Sequence, residues 1–290
     1  MSALFEPLLR LGDNTLILGH RLGEWCGKAP ALEEDIALAN TALDFIGQTQ
    51  MWLGLAAAPS GSAPWMYLTQ VPVGALVDFE LTLSMPRRLT ADTGLDSLCH
   101  ALEAYVSRKA NAFTDSIALT ALASISRHLR TACEDPDNRE AREAMMLAAT
   151  QGGIAFANAS VTLIHGMSRP LGALFHVPHG LSNAMLLPEV TAWSVGHAPQ
   201  RYAECARVMG LAQARDSDTQ AADRLVAGLR QLTADLEVPG PRQWGIAEEP
   251  WFANLDTMAA QALASGSPGN NPRVPEATDI VALYRRVWAA

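Results

Sequence analysis

The sequence predicts a mainly α-helical protein in which a helical hairpin precedes a bundle of about seven helices. Its 290 residues are 49% hydrophobic but only 6% aromatic, and the abundance of alanine and leucine favours helix. Apolar residues recur at near-helical spacing along most of the chain, whereas strand-like sequence is confined to Val71–Leu83. We therefore expect one short, unpaired extended segment near Val73–Val77.

The first predicted domain, residues 1–58, has the pattern of two helices joined by a tight turn. Gly27 and Pro30 interrupt the apolar periodicity, and Glu33–Asp35 then place carboxylates in the first turn of the second helix. A hairpin of this kind cannot bury both of its apolar faces alone. It therefore needs helices from elsewhere as partners.

A linker and a larger helical domain follow. The linker, residues 59–74, begins with the stretch Pro59–Pro64, and the larger domain covers residues 75–290. Seven helices are predicted in the larger domain, one of them in the stretch after Pro178. The other six cover residues 92–106, 115–128, 140–157, 200–209, 219–236 and 277–288.

Charge and cysteine content exclude several classes of function. The net charge is −9, and basic residues cluster no further than in pairs, which disfavours nucleic-acid binding. The four cysteines lack CxxC spacing and indicate reduced thiols. Because the sequence shows neither a signal-peptide pattern nor an apolar run of about 18 residues, we expect a cytoplasmic protein that does not bind membranes.

Asp96 and His100 give the strongest local signal for chemistry. They are four residues apart, so on a helix they lie on one face, one turn from each other. A carboxylate and an imidazole at that spacing can share a metal ion, although an ordinary surface pair is the more common explanation of the spacing alone. Cys99 could approach the same metal or fill the core, and Glu103 could orient His100 or face solvent.

Three of the seven histidines, His165, His176 and His179, fall inside one stretch of fifteen residues. Most of the other residues in this stretch are apolar or small. Such histidines must be hydrogen-bonded or metal-bound to offset desolvation, so they are either capping and core residues or ligands. Pro170 and Pro178 interrupt the helical phase, so His165 and His179 are expected to converge from separate helices. Together with His100 and one aspartate they supply a donor set of three nitrogens and one oxygen, which suits Fe(II) or Zn(II).

Four motifs occur in order along the larger domain: Leu83–Pro86, Thr93–Tyr105, His165–Gly180 and Asn270–Arg273. By these motifs, residues 75–290 resemble the helical metal-binding domain of the iron-dependent (group III) alcohol dehydrogenases. The resemblance implies a helical bundle of the dehydroquinate synthase-like type.

The resemblance also implies a metal site and a reaction. The implied metal ligands are Asp96, His100, His165 and His179. Fe(II) or Zn(II) at this site would act as a Lewis acid on a small alcohol or carbonyl substrate while NAD or NADP exchanges hydride with the carbon. Some members have a histidine where this chain has Arg169, and His176 is another candidate for the proton-shuttling role.

The nucleotide-binding half of that family has no counterpart in this sequence. Members begin with a Rossmann-like domain whose glycine-rich loop binds the pyrophosphate. Here Gly61 lies in the linker without a preceding strand, and Gly152–Gly153 lie inside a helical pattern. We therefore expect no complete Rossmann domain, weak or no NAD(P) binding, and negligible alcohol oxidation by the chain alone.

The N-terminal hairpin resembles a different family. Leu11–Asn14, Gly23–Gly27 and Glu33–Asn40 are similar to the first two helices of the structural, ferritin-like subunit of the bacterial phenylacetyl-CoA epoxygenase. That type of subunit is a scaffold, so no catalytic residue is carried over. A solvated helix face explains His20, Glu33 and Glu34 better than a remnant of a di-iron site does.

Three functional hypotheses follow from the two resemblances. The leading one is the metal and substrate half of an alcohol dehydrogenase, active if a nucleotide domain is supplied. The second is a non-catalytic scaffold that docks with a helical protein partner or forms a homo-oligomer. The third is a fusion of two gene fragments across Pro59–Pro64.

Overall fold

A computed structural model describes residues 77–289, which contain helices and no strand. The predicted mainly α fold is therefore confirmed for this part of the chain. The predicted hairpin, residues 1–58, and the linker, residues 59–74, lie outside the described residues.

Three long helices form the first layer: α1 (Arg87–Val106), α2 (Ala112–Glu134) and α3 (Arg139–Ala159). The three pack against one another. The Asn111 side chain accepts from the Phe113 and Thr114 amides, and the Asn138 side chain accepts from the Ala141 amide, so each asparagine caps a helix. Most of α1 is buried, as expected of a helix enclosed by neighbours on several sides.

The middle of the chain forms four helices, three of which pack against α1. They are α4 (Leu163–Phe175), α5 (His179–Ser194), α6 (Pro199–Val208) and α7 (Asp218–Asp235). Helix α5 packs against α1, α4 and α7, so it links the first layer to the rest of the bundle.

The C-terminal part adds two short and two longer helices. They are α8 (Pro241–Trp244), α9 (Glu248–Ala253), α10 (Leu255–Ala264) and α11 (Ala277–Ala289). Trp251 is fully buried, with its ring stacked on Trp288 and edge-on to Tyr284. The Tyr284 hydroxyl donates to the Met167 carbonyl at 2.7 Å, which fixes α11 against α4.

Of the extended segment predicted near Val73–Val77, only Val77 lies within the described residues. The strand-like sequence continues into a 3-10 helix, Phe79–Thr82, in which the Asp78 side chain accepts from the Glu80 amide. The interruption predicted at Pro170 is wrong. Pro170 does not end a helix but lies inside α4, and Pro178 alone separates α4 from α5.

The predicted number of about seven helices is too low for the described residues, which contain eleven. The helices absent from the prediction are α4, α8, α9 and α10. Helix α4 contains a proline and two glycines, and packing against α5 and α10 compensates for its low intrinsic propensity. Helices α8 and α9, with four and six residues, are too short to show a clear apolar period.

Candidate metal centre

Helix α1 supplies two of the four predicted ligands. Asp96 and His100 lie one turn apart on the same face of this helix, as their spacing predicts. The distance from His100 Nε2 to Asp96 Oδ1 is 3.7 Å.

The other two predicted ligands come from separate helices, as expected. His165 lies in the first turn of α4, and His179 is the first residue of α5. Their Nε2 atoms are 3.4 and 3.8 Å from the same carboxylate oxygen, Asp96 Oδ1. One oxygen and three nitrogens from Asp96, His100, His165 and His179 thus lie within 4.8 Å of one another.

The N-terminus of α4 is held by a side chain from α1. The Thr162 hydroxyl and the Ile164 amide both donate to Glu103 Oε1 at 2.7 Å, and the second carboxylate oxygen lies 2.5 Å from His165 Nδ1. An unpaired amide in the first turn of a helix needs an acceptor, and a carboxylate there is favoured by the helix dipole. Glu103 therefore caps α4 from another helix and fixes the position at which His165 enters the cluster.

Asn183 lies one turn after His179 on α5 and points into the cluster. Its amide nitrogen is 2.6 Å from Asp96 Oδ1 and 3.2 Å from the Nε2 atoms of both His165 and His179. Its carbonyl oxygen is buried and has no hydrogen-bond partner. Asp96 Oδ1 and the Nε2 atoms of the two histidines thus all face the amide group of Asn183. Binding of a cation requires the same convergence of electron-pair donors.

The cluster has a buried side and an open side. The His165 side chain is 5% exposed, and its ring stacks on the His100 ring at a centroid distance of 4.7 Å. Phe156 covers the His100 ring at 4.4 Å. By contrast, the His179 side chain is 51% exposed. A ligand can therefore reach the cluster past His179.

Charges within the cluster oppose the effects of burial. Burial alone raises the pKa of Asp96, but the three neighbouring imidazoles, His100 foremost, bring it well below its usual range. Burial lowers the pKa of His100 to about 4 and also lowers the pKa of His179. Burial acts in the same direction on His165, but Glu103 and Asp96 outweigh it and raise the pKa of His165 to about 9.

The donor set fits a divalent transition metal. Imidazole nitrogens and a carboxylate oxygen are ligands that Fe(II) and Zn(II) accept, and an open side leaves room for a further ligand. The low pKa values of His100 and His179 keep their nitrogens available as electron-pair donors at neutral pH.

Three other residues singled out in the sequence lie outside the four-residue cluster. His176 is exposed at the C-terminal end of α4, in the left-handed conformation. Cys99 is fully buried in the core, and burial raises the pKa of its thiol well above the usual value, which favours the core alternative. Arg169 is exposed on α4, one turn after His165.

Glu103 has a different partner from the one considered in the sequence. It neither faces solvent nor bonds His100, because it is 1% exposed and contacts His165. Asn183 was missed altogether. Its spacing of four residues from His179 repeats the spacing of Asp96 and His100, so that repeat was the available signal.

The family model described as "Fe-containing alcohol dehydrogenase family, C-terminal" matches residues 90–288. This chain belongs to the iron-containing alcohol dehydrogenase family. The predicted resemblance of residues 75–290 is thereby confirmed at the level of the family. A second model, described as "Phenylacetic acid catabolic protein", matches residues 1–64 and bears out the resemblance of the N-terminal segment.

Individual relatives agree with the family assignment. A 1,3-propanediol dehydrogenase of Klebsiella pneumoniae is 36% identical over 225 residues, which cover 77% of this chain and 56% of that protein. A bifunctional aldehyde-alcohol dehydrogenase of Escherichia coli K12 is 40% identical over 221 residues, covering 70% of this chain and 25% of that protein. The chain spans about half the length of the first curated dehydrogenases it matches.

Solved structures show the same similarity in the fold. A crystal structure of 1,3-propanediol oxidoreductase superimposes with a TM-score of 0.69 at 36% identity, covering 72% of this chain and 54% of that one. An alcohol dehydrogenase from Oenococcus oeni also gives a TM-score of 0.69, at 35% identity and the same coverage of the two chains.

Taken singly, none of the helices within residues 77–289 is both long and apolar enough to cross a bilayer. Helices α3 and α4 pass only when joined as a pair, and that pair is bent by 105°.

Proposed function

We propose that Asp96, His100, His165 and His179 bind one divalent metal ion, Fe(II) or Zn(II), and that this chain is the metal and substrate half of an alcohol dehydrogenase. The observation that carries the proposal is the convergence of one oxygen and three nitrogens within 4.8 Å, in a helical domain of this family. The reaction is the interconversion of a small alcohol and an aldehyde or ketone.

Three of the four residues have a further part in this proposal besides binding the ion. When bound, the ion supplies Lewis acidity towards the substrate oxygen. Asp96 supplies the negative charge of the site, and His165 is held rigidly by its buried surroundings. His179, which is half exposed, forms the side from which the substrate enters. The buried side excludes water and strengthens every electrostatic interaction at the ion.

Hydride transfer further requires a nicotinamide held close to the substrate carbon, and that positioning accounts for much of the rate. We propose that NAD or NADP serves this role when a nucleotide-binding domain is supplied, because the sequence offers no glycine-rich loop after a strand. Among the relatives are an NADPH-dependent butanol dehydrogenase and a lactaldehyde reductase, which supports small alcohols and carbonyl compounds as the substrate class.

The experiment is an activity assay with the missing half supplied as a separate protein. The full chain, loaded with Fe(II) or Zn(II), is tested on short primary alcohols with NAD or NADP. The assay is run with and without the isolated nucleotide-binding domain of the 1,3-propanediol dehydrogenase relative. We expect metal-dependent oxidation only when both halves are present, and NADH titration should detect weak or no binding to the chain alone. Micromolar NADH affinity with metal-dependent turnover by the chain alone would contradict the argument from the missing loop.

A second function is favoured by the match of residues 1–64 to the phenylacetic acid catabolic protein model. In this alternative, the chain is a non-catalytic cytoplasmic scaffold whose N-terminal segment binds a helical protein or a second copy of the chain. Metal content separates the two functions, because only the dehydrogenase half needs nearly stoichiometric metal that depends on Asp96 and the three histidines.

A further inference from the structure

We propose that Glu103 is the positioning residue of the metal centre: it fixes a proton on His165 Nδ1 and so presents the Nε2 electron pair of His165 to the ion. This inference deepens the proposed function and rests on it for the identity of the ion. The contacts that support it come from three residues of the Thr162–His165 segment.

The carboxylate of Glu103 is held in one orientation before any contact with His165 is considered. Its Oε1 atom accepts from the Thr162 hydroxyl and from the Ile164 amide, both at 2.7 Å. The amide can only donate, so Oε1 can only accept. The side chain is 1% exposed, which leaves no room for water to replace these donors.

The second oxygen of Glu103 decides where the proton of His165 lies. Oε2 is 2.5 Å from His165 Nδ1. Because Oε1 accepts from two donors and the side chain is enclosed, the surroundings of Glu103 are those of an ionised carboxylate. An ionised carboxylate only accepts, so the shared proton lies on Nδ1 of His165.

The other ring nitrogen then faces the cluster. His165 Nε2 lies 3.4 Å from Asp96 Oδ1 and 3.2 Å from the Asn183 amide nitrogen. An imidazole whose Nδ1 carries a proton binds a metal through Nε2, and a carboxylate behind it raises the basicity of that nitrogen. Glu103 thereby determines both the orientation and the ligand strength of His165.

Glu103→Gln tests this role because glutamine has the same shape as glutamate but replaces one of the two acceptor oxygens with an NH2 donor. If its oxygen keeps the Thr162 and Ile164 donors, its amide group faces Nδ1 and favours the tautomer with the proton on Nε2, which blocks the metal-binding electron pair. Thr162→Val is the matched control, since it perturbs the same buried network but leaves the contact between Oε2 and Nδ1 intact.

The first measurement is nuclear magnetic resonance of the full, metal-free chain labelled with 15N-histidine. We expect the wild type to show a slowly exchanging ring proton on Nδ1 of His165, which is assigned by its loss in His165→Asn. The same proton should be present in Thr162→Val and absent in Glu103→Gln. The second is Zn(II) affinity by competition with a chelator. We expect Glu103→Gln to bind about tenfold or more weakly than Thr162→Val.

Absence of the Nδ1 proton in the wild type would overturn the inference, and so would wild-type Zn(II) affinity in Glu103→Gln. Equal losses of affinity in Glu103→Gln and Thr162→Val would also overturn it, because general loosening would then explain both. If Glu103→Gln does not fold, the wild-type proton decides alone. A wild type that has the Nδ1 proton but binds no Zn(II) would refute the proposed function instead.

Discussion

The two sides of the metal cluster differ in how they are held. On the buried side, His165 is fixed by Glu103, which is itself fixed by Thr162 and Ile164. On the open side, His179 is half exposed and its nearest polar neighbours belong to the cluster itself. The buried side is therefore held by contacts within the protein, whereas the open side is accessible from outside it.

The same difference appears in the protonation of two neighbouring rings. The centroids of His100 and His165 are only 4.7 Å apart, yet the pKa of His100 is lowered to about 4 and that of His165 is raised to about 9. Both rings are desolvated and both contact Asp96, so the contact with Glu103 is the distinguishing feature. One buried carboxylate thus shifts the pKa values of two otherwise similar histidines in opposite directions.

The largest expected effect contrasts the two sides directly. His165→Ala leaves the buried carboxylate of Glu103 without its hydrogen-bonded partner, and breaking a buried pair in this way costs about 3–5 kcal/mol of unfolding free energy. His179→Ala removes a half-exposed side chain and should stay within about 0.5 kcal/mol. Urea unfolding of the metal-free variants measures both values. Equal destabilisation by the two substitutions would break the comparison.

A smaller effect is expected at Asn183, which joins the two sides. Asn183→Ala removes the amide that donates to Asp96 at 2.6 Å, and a hydrogen bond to a charged group contributes about 1.5–3 kcal/mol. Asn158→Ala is the control, since Asn158 is exposed and donates only to the Ile154 carbonyl of its own helix. If both variants unfold at the same urea concentration, Asn183 does not stabilise the cluster.

The smallest effect concerns the close approach that brings α5 to α1. A Cβ atom on Gly180 would lie 2.6 Å from the Asp92 carbonyl oxygen, so Gly180→Ala should push the start of α5 away and cost about 1–3 kcal/mol. At Gly153, inside α3, the same substitution meets no atom within 4 Å and should stabilise the helix by about 0.5–1 kcal/mol. Thermal unfolding of the two variants compares them. If Gly180→Ala unfolds at or above the unfolding temperature of Gly153→Ala, the approach is not tight.

Sequence reasoning could find the part of the centre that has a local period. Asp96 and His100 share a helix face at a spacing of four residues, and the structure confirms that placement. Convergence of His165 and His179 from separate helices was predicted from the intervening prolines, although only Pro178 separates the two helices.

The supporting contacts could not be read in the same way. Glu103 and His165 are 62 residues apart, and no local pattern specifies which buried donor a carboxylate will meet. Helix α4 was missed because its proline and glycines weaken the helical signal, while tertiary packing and the Glu103 cap determine its actual conformation.

The metal content of the purified full chain tests the central claim most directly. After loading with Fe(II) or Zn(II) and removal of excess ion, the wild type should retain about one equivalent, because four ligand atoms converge on one point. His165→Ala and His179→Ala should each lose most of that metal. Full occupancy in both variants would contradict the assignment of Asp96, His100, His165 and His179 as the ligands.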